Sequence, residues 1–162
     1  MIEYAHNPPP HVSASQITTE RLCPRKRWFA KVAGLPDPSG PGAQKGTACH
    51  ALVEHRLHFG RWPTDADAGL LPLAMAAYAA LPNVPIRPEV EIALRGGFAL
   101  PIVGRVDGLH LTPTQAWVYD FKFLSSLSRL KTPEQLQKDP QALIYTLAAA
   151  QGTGHVRATF TL

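Results

Sequence analysis

Three charged residues in the second half of the chain, Asp107, Asp120 and Lys122, have the types and spacing to form a chemical site. Asp120 and Lys122 lie in the segment Trp-Val-Tyr-Asp-Phe-Lys-Phe at residues 117–123. This segment alternates with the period of a strand, so the two side chains share one face, about 7 Å apart along the strand. The residues predicted on the other face are aromatic: Trp117, Tyr119, Phe121 and Phe123.

Asp107 ends a Gly-Arg-Val-Asp stretch at residues 104–107, upstream of a Thr-Pro-Thr-Gln turn at residues 112–115. Pro presets its own φ and favours a turn there. A turn centred between residues 113 and 114 places Asp107 directly opposite Asp120. The same count makes two further predictions, Val106 opposite Phe121 and the Phe123 ring over Gly104.

Opposed carboxylates of this kind favour a cation between them. Directly opposed residues have Cβ atoms about 4.5–5.5 Å apart, where like charges repel. Asp107 and Asp120 therefore offer hard oxygen donors for a divalent metal, with the Lys122 ammonium alongside. The alternative is a solvated hairpin face that carries three charges, and a one-residue bulge would spoil the pairing.

The composition is that of one globular domain, with 162 residues, of which 45% are hydrophobic and 17% charged. We expect a cytoplasmic protein with no membrane contact, because no apolar run approaches about 18 residues and the N-terminus lacks a signal pattern. Cys23 and Cys49 are too few for a disulfide framework or a four-thiolate cluster from this chain alone. The formal net charge of +4 favours a polyanionic partner only mildly.

The prolines and glycines cluster at the predicted loops and divide the chain into three parts. These are an extended lead-in over 1–12, a mainly helical part over 13–81, and a sheet with its crossover helix over 88–162. Helices are expected over 16–22, 25–33, 44–59, 66–81 and 139–150. Strands are expected over 88–94, 99–107, 117–123 and 156–162, with a polar loop over 125–137. This order predicts an α/β fold: a short mixed sheet, formed by a three-strand meander plus a fourth, parallel strand after the helix, flanked by helices.

A basic and aromatic block lies in the second predicted helix. Its central residues are Arg25, Lys26, Arg27 and Trp28. Contacts to a phosphate backbone with base stacking would use this combination, so the block is a candidate DNA-binding surface. A solvated basic face over a buried Trp28 explains it as well.

The third predicted helix carries two different faces. Cys49, Val53 and Leu57 form its apolar stripe, while His50 and Glu54 share another face. His50 gains functional interest only if that face looks towards the Asp107 and Asp120 pair. Zinc is not favoured, because the neighbouring histidines lack a matching second ligand pair.

These residues, in this order, resemble the PD-(D/E)XK nuclease superfamily, and specifically its RecB-like branch, which includes the CRISPR-associated RecB-like exonucleases. The branch pattern is matched by Gly-Thr-Ala-Cys-His at 46–50, Gly-Arg-Val-Asp at 104–107, Asp-Phe-Lys at 120–122 and Gln-Ala-Leu-Ile-Tyr at 141–145. The resemblance implies a restriction-endonuclease-like core and metal-dependent cleavage of DNA phosphodiester bonds.

Carried over residue by residue, the resemblance assigns roles to the matched positions. Asp107, Asp120, His50 and the Phe121 carbonyl would bind Mg²⁺ or Mn²⁺. Lys122 would position or help to deprotonate the attacking water. The resemblance also implies that Gln141 and Tyr145, at i and i+4 of the last helix, line the site and orient the strand.

The chain departs from the branch in three respects. Branch members with an iron–sulfur cluster use four cysteines, and only Cys23 stands at a matching place, so no cluster is expected. Neither Glu89 nor Glu91 can be assigned to the acidic residue often found on the first strand. Chains of the branch commonly continue past the last strand, whereas this sequence ends with it at Leu162, so a compact or truncated member is expected.

Three functions follow as hypotheses. The first is a metal-dependent DNA exonuclease acting on single strands or duplex ends in repair, recombination or phage DNA processing. The second is a catalytically inactive DNA-binding or assembly module that retains the fold. The third, a thiol hydrolase using Cys49, is disfavoured because this residue lies on an apolar stripe.

Overall fold

The computed structural model describes residues 11–35, 40–97, 99–124, 126–154 and 157–161. The helices are α1 (Ala14–Leu22), α2 (Pro24–Lys31), α3 (Pro41–Phe59), α4 (Leu71–Ala79), α5 (Pro133–Leu136) and α6 (Pro140–Thr153), with a 3₁₀ turn at Leu127–Arg129. The strands are β1 (Val12–Ser13), β2 (Arg87–Leu94), β3 (Ile102–Leu111), β4 (Gln115–Tyr119) and β5 (Arg157–Thr161). Within these ranges, no helix is both long and apolar enough to cross a bilayer.

The predicted mixed sheet is confirmed. β2, β3 and β4 form an antiparallel meander, and β5 pairs parallel with β4 after the α6 crossover. The short strand β1, which falls in the region predicted as lead-in and helix cap, pairs parallel with the start of β3. Its backbone is anchored where the Val12 N–H donates to the Pro101 carbonyl at 3.0 Å. A two-residue strand carries too little alternation to be visible in a sequence.

Each face of the sheet carries its own core. On one face, Val106 and Val118 pack with α6 and with Ala14 of α1. On the other face, Tyr119 and Phe121 pack with Val53 of α3 and with α4. The alternation predicted for residues 117–123 is therefore correct, because neighbouring residues of this segment serve opposite cores.

Several helix boundaries differ from prediction for local reasons. α2 ends at Lys31, two residues early, because the N–H groups of Val32 and Ala33 both donate to the Trp28 carbonyl. α4 begins at Leu71 rather than near residue 66, since the Asp67 side chain closes a turn on the next N–H groups. α3 starts earlier than predicted and ends, as predicted, before a left-handed glycine.

The strand boundaries also shift. β3 runs over Ile102–Leu111 rather than 99–107, and β4 over Gln115–Tyr119 rather than 117–123. The hairpin closes at the predicted turn, where the Thr112 N–H donates to the Gln115 carbonyl at 2.9 Å. The predicted loop over 125–137 contains the 3₁₀ turn and α5, whose first turn Thr132 and Gln135 close as a capping box.

Candidate active site

The hairpin ladder ends immediately before the acidic residues. The last paired residues are Gly108 and Tyr119, so the predicted register is correct as far as the pairing extends. Continued by one residue, it would bring Asp107 opposite Asp120, but that pair is not formed. Instead, Asp107 Oδ2 accepts a hydrogen bond from the Phe121 N–H at 2.5 Å. The Asp107 side chain thus occupies the Phe121 N–H, which a further hydrogen bond between the strands would need. The predicted pairing of Val106 with Phe121 is wrong for the same reason.

Asp120 is nearly fully buried, with 3% of its surface exposed. Its Oδ1 accepts a hydrogen bond from Gln141 Nε2 at 3.0 Å, and its Oδ2 contacts Lys122 Nζ. Burial raises the pKa of Asp120, an effect opposed by the Lys122 ammonium and reinforced by the charge of Asp107. The two carboxylates therefore influence each other, and the Lys122 ammonium favours the charged form of Asp120.

Hydrogen bonds at the first turn of α6 hold the backbone of Gln141 in position. Asp139 is the N-cap, and its Oδ1 accepts hydrogen bonds from the Gln141 and Ala142 N–H groups at 2.7 and 3.4 Å. Its Oδ2 contacts Lys131 Nζ, which ties the preceding loop to the helix. Neither Asp139 nor Lys131 was predicted as part of the site, although the Asp-Pro pair correctly predicted the helix start.

Tyr145 lies one turn further along α6, as predicted, and is buried. Its hydroxyl interacts with the Gln141 side chain, and burial raises the pKa of Tyr145. Its ring fills the space above Gly104, where a Cβ would overlap the ring carbons. The prediction that Phe123 occupies this space is wrong, because Phe123 packs on the opposite face of the sheet, beside His50.

His50 projects from α3 towards the acidic residues. Its Nδ1 lies 3.3 Å from Asp107 Oδ2, and its ring packs against Phe123 at a centroid distance of 5.2 Å. The hydrogen bond to Asp107 raises the pKa of His50, and burial opposes that shift. The helix face that carries His50 therefore points towards the acidic residues, which is the condition set above for a functional role of His50.

Glu89 lies across from Asp107 on β2, between the paired residues Pro88 and Val90. Its φ of 51° is left-handed, which is uncommon for a residue other than glycine. Burial raises the pKa of Glu89, and the charges of Glu54 and Asp107 add to the effect. The sequence analysis assigned neither Glu89 nor Glu91 to the acidic residue often found on this strand.

The basic helix α2 packs against α1, and α1 in turn packs against α6. Arg27 pairs with Glu20 at 3.4 Å, while Trp28 and Phe29 are 37% and 45% exposed, with ring centroids 5.3 Å apart. Trp28 is therefore not the buried residue of the alternative interpretation. An aromatic edge with Arg25 and Lys26 on the same short helix is compatible with the predicted DNA-binding surface.

The thiol hypothesis loses support. Cys49 is buried, and burial raises the pKa of its thiol, which disfavours the thiolate that a nucleophile requires.

The other histidines of α3 concern metal binding. One of them, His55, has its Nδ1 3.0 Å from the Arg61 carbonyl. Among the described residues, no group of three His, Cys, Asp or Glu side chains is arranged to hold a metal ion.

The donor chemistry nevertheless fits a hard divalent cation. Mg²⁺ is usually held by one or two carboxylates, together with waters and substrate phosphates, rather than by a complete protein cage. Asp107 and Asp120 supply two such carboxylates. The buried Oδ2 of Asp120 accepts no regular hydrogen bond from any described residue and meets only the Lys122 ammonium, so it already faces a positive charge.

Comparison with known proteins identifies the family. No curated protein and no solved structure gives a significant match to the chain. The sequence model of the PD-(D/E)XK nuclease superfamily matches residues 61–161, well over half of the chain, and this range includes Asp107, Asp120, Lys122, Gln141 and Tyr145. The α/β sheet with flanking helices and the clustering of these side chains agree with that match, and the chain belongs to the PD-(D/E)XK nuclease superfamily.

Proposed function

We propose that the protein is a metal-dependent DNA nuclease, and that it acts as a RecB-like exonuclease on single strands or duplex ends in repair, recombination or phage DNA processing. One observation carries the proposal. Asp120 is buried, and it is held between Gln141 and Lys122 next to Asp107. The order of the four matched motifs supports the RecB-like branch.

In this proposal each side chain has a distinct task. Asp107 and Asp120, with the Phe121 carbonyl and His50, would hold Mg²⁺ or Mn²⁺. When bound, such a cation supplies positive charge that offsets the charge developing on the scissile phosphate. Lys122 positions the attacking water, because its ammonium lies against Asp120. It would help to deprotonate that water only as the neutral amine, after releasing its own proton to solvent.

Gln141 and Tyr145 serve as positioning residues. The hydrogen bond from Gln141 Nε2 fixes one oxygen of Asp120 and leaves the other towards Lys122. Tyr145, packed over Gly104, fixes Gln141 in turn. The nucleic acid strand would be held by the phosphates it presents to Arg25, Lys26 and Arg27 and by stacking on the half-exposed Trp28.

The direct experiment follows cleavage of labelled single- and double-stranded DNA with Mg²⁺ or Mn²⁺. Wild type is compared with Asp120→Ala and Lys122→Ala, and Asp65→Ala, which removes an exposed carboxylate, serves as the control. We expect cleavage to be lost in the first two variants and retained in the control. Cleavage that survives both site changes would reject the site.

A second candidate is a catalytically inactive DNA-binding or assembly module. It is favoured by the absence, among the described residues, of a three-ligand group and by the internal ion pair of Asp120. Calorimetric titration with Mn²⁺ separates the two functions. Binding that disappears in Asp107→Asn supports the nuclease, whereas an absence of binding by wild type supports the module.

A further inference from the structure

A cavity of about 210 Å³ opens beside Asp120, between the end of β4, the 3₁₀ turn and the start of α6. Asp120, Lys122 and Gln141 form its inner side, so the cavity is continuous with the candidate active site. The outer side is built by the segment between β4 and α6. The residues of this outer side are Leu124, Arg129, Leu130, Lys131, Leu136 and Asp139.

Three leucines give part of the outer side an apolar surface, beside charged residues. Leu124 and Leu130 are 39% and 47% exposed, and with Leu136 they line the cavity. Leucine side chains left open to water beside a polar site favour a flat apolar or aromatic ligand group. Phosphate alone would not use this wall, because an anion gains nothing from contact with leucine.

The charges around the cavity favour an anionic ligand backbone. Each of its two carboxylates contacts a lysine, Asp120 with Lys122 and Asp139 with Lys131. Arg129 has no ion pair among the described residues. The lining therefore carries one uncompensated positive charge, Arg129, together with two ion pairs and three leucines.

We propose that this cavity holds one unpaired base of the strand being cut, next to the scissile phosphate, while Arg129 contacts a neighbouring phosphate. The inference rests on the proposed nuclease function and specifies its substrate. A cavity of about 210 Å³ is smaller than the roughly 300–1,000 Å³ of sites for drug-sized ligands, which suits a single base but not a base pair. A base seated there must leave its duplex, so the protein requires single strands or frayed ends at the cleavage position.

The test uses short single-stranded oligonucleotides, each of which carries 2-aminopurine at a different position. The protein binds them in the presence of EDTA, so that the fluorescence of 2-aminopurine is measured without cleavage. Wild type is compared with Leu130→Ser and with the control Leu147→Ser, which removes a somewhat more exposed leucine (56%) from α6 outside the cavity. We expect an emission change at one or two adjacent positions. The change should be lost in Leu130→Ser and kept in Leu147→Ser.

A second arm measures cleavage in Mn²⁺ of a strand with an abasic residue at the position that the fluorescence identifies. Loss of the base should lower the rate about tenfold, while abasic residues elsewhere should have little effect. Equal emission changes at all positions, or a local change that both leucine variants either keep or lose, would overturn the inference. If wild type failed to cleave any DNA, the proposed function would fail, and the fluorescence arm would still decide whether the cavity holds a base.

Discussion

The Asp107 carboxylate accepts a hydrogen bond from the backbone N–H of Phe121 at 2.5 Å, at the point where the β3–β4 ladder ends. The Asp107 side chain thereby replaces the backbone carbonyl that would accept the Phe121 N–H if the ladder continued. The bond keeps the two strands close after their pairing stops, and it leaves the segment from Asp120 to Lys122 free to turn towards α6. This arrangement gives the acidic site its shape.

The bond predicts different outcomes for two changes at Asp107. Asp107→Asn keeps an oxygen that can accept from the Phe121 N–H, so stability should remain close to wild type. Asp107→Ala leaves that half-buried N–H unpaired and should lower the free energy of unfolding by about 1–3 kcal/mol. Both variants should lose roughly 100-fold or more in cleavage rate, since a charged group at the reacting centre is gone. Denaturant unfolding and DNA cleavage measure the two effects, and equal stability of both variants would contradict the structural role.

Burial of Asp120 predicts a pH-dependent gain of stability in Asp120→Asn. Because its pKa is raised in the folded protein, ionisation of Asp120 opposes folding: the loss of stability begins as the pH rises through the unfolded pKa and is complete above the raised folded pKa. Below the unfolded pKa of about 3.9 both states are protonated and the penalty is absent. Asp120→Asn should therefore be more stable than wild type at pH 8, and the difference should vanish near pH 3.

The measurement is denaturant unfolding of wild type and Asp120→Asn across this pH range, with Asp65→Asn as an exposed control that should show no such gain. A variant less stable than wild type at pH 8 would mean that the Lys122 contact outweighs the burial of Asp120.

His50 predicts the pH dependence of cation binding. Its pKa is raised by the hydrogen bond to Asp107, so its positive charge persists to higher pH than that of an ordinary histidine. The protonated ring contributes stability below about pH 6.5, which is lost as the pH rises through the raised pKa, and it opposes a cation at Asp107. Mn²⁺ affinity should therefore fall as the pH is lowered from 8.5 to 6.

Calorimetric titration at both pH values tests this expectation. The decrease should be much smaller in His50→Gln and unchanged in His58→Gln, which alters an exposed histidine of the same helix. An identical pH dependence in wild type and His50→Gln would exclude His50 from the cation site.

The close approach of Tyr145 to Gly104 predicts a coupled pair. Gly104→Ala introduces a Cβ that overlaps the buried ring and should cost about 1–3 kcal/mol in unfolding free energy. In a Tyr145→Ala background the same change should cost much less, because the ring is gone. Gly152→Ala, where an added Cβ would meet no described atom within 4 Å beyond its chain neighbours and the adjacent backbone of its own helix, should not destabilise the protein. Additive costs of Gly104→Ala and Tyr145→Ala would contradict the packing.

Much of the site could be predicted because it depends on local signals. The alternation of residues 117–123 and the turn at 112–115 were enough for the hairpin register, and the Asp-Pro pair was enough for the start of α6. The expectation that Gln141 and Tyr145 line the site came from the resemblance to the nuclease superfamily. The i, i+4 spacing of α3 separated His50 from the stripe of Cys49. In each case the relevant partners lie within a few residues of the pattern that predicts them.

The remaining features depend on contacts between distant elements. The ladder ends at Tyr119 because the Asp107 side chain captures a backbone donor, which strand periodicity does not encode. Gly104 makes room for Tyr145 rather than Phe123 because of the way α6 packs on β3. The left-handed backbone of Glu89 and the leucine wall around Leu130 likewise arise only in the folded chain.

The central claim is that Asp107 and Asp120 together hold a divalent cation. Anomalous scattering from crystals soaked in Mn²⁺ tests it most directly, with Asp107→Asn crystals treated in the same way. We predict a manganese peak within bonding distance of carboxylate oxygens of both residues in wild type, and its loss in the variant. A peak elsewhere, or none at Mn²⁺ concentrations that support DNA cleavage, would contradict the claim.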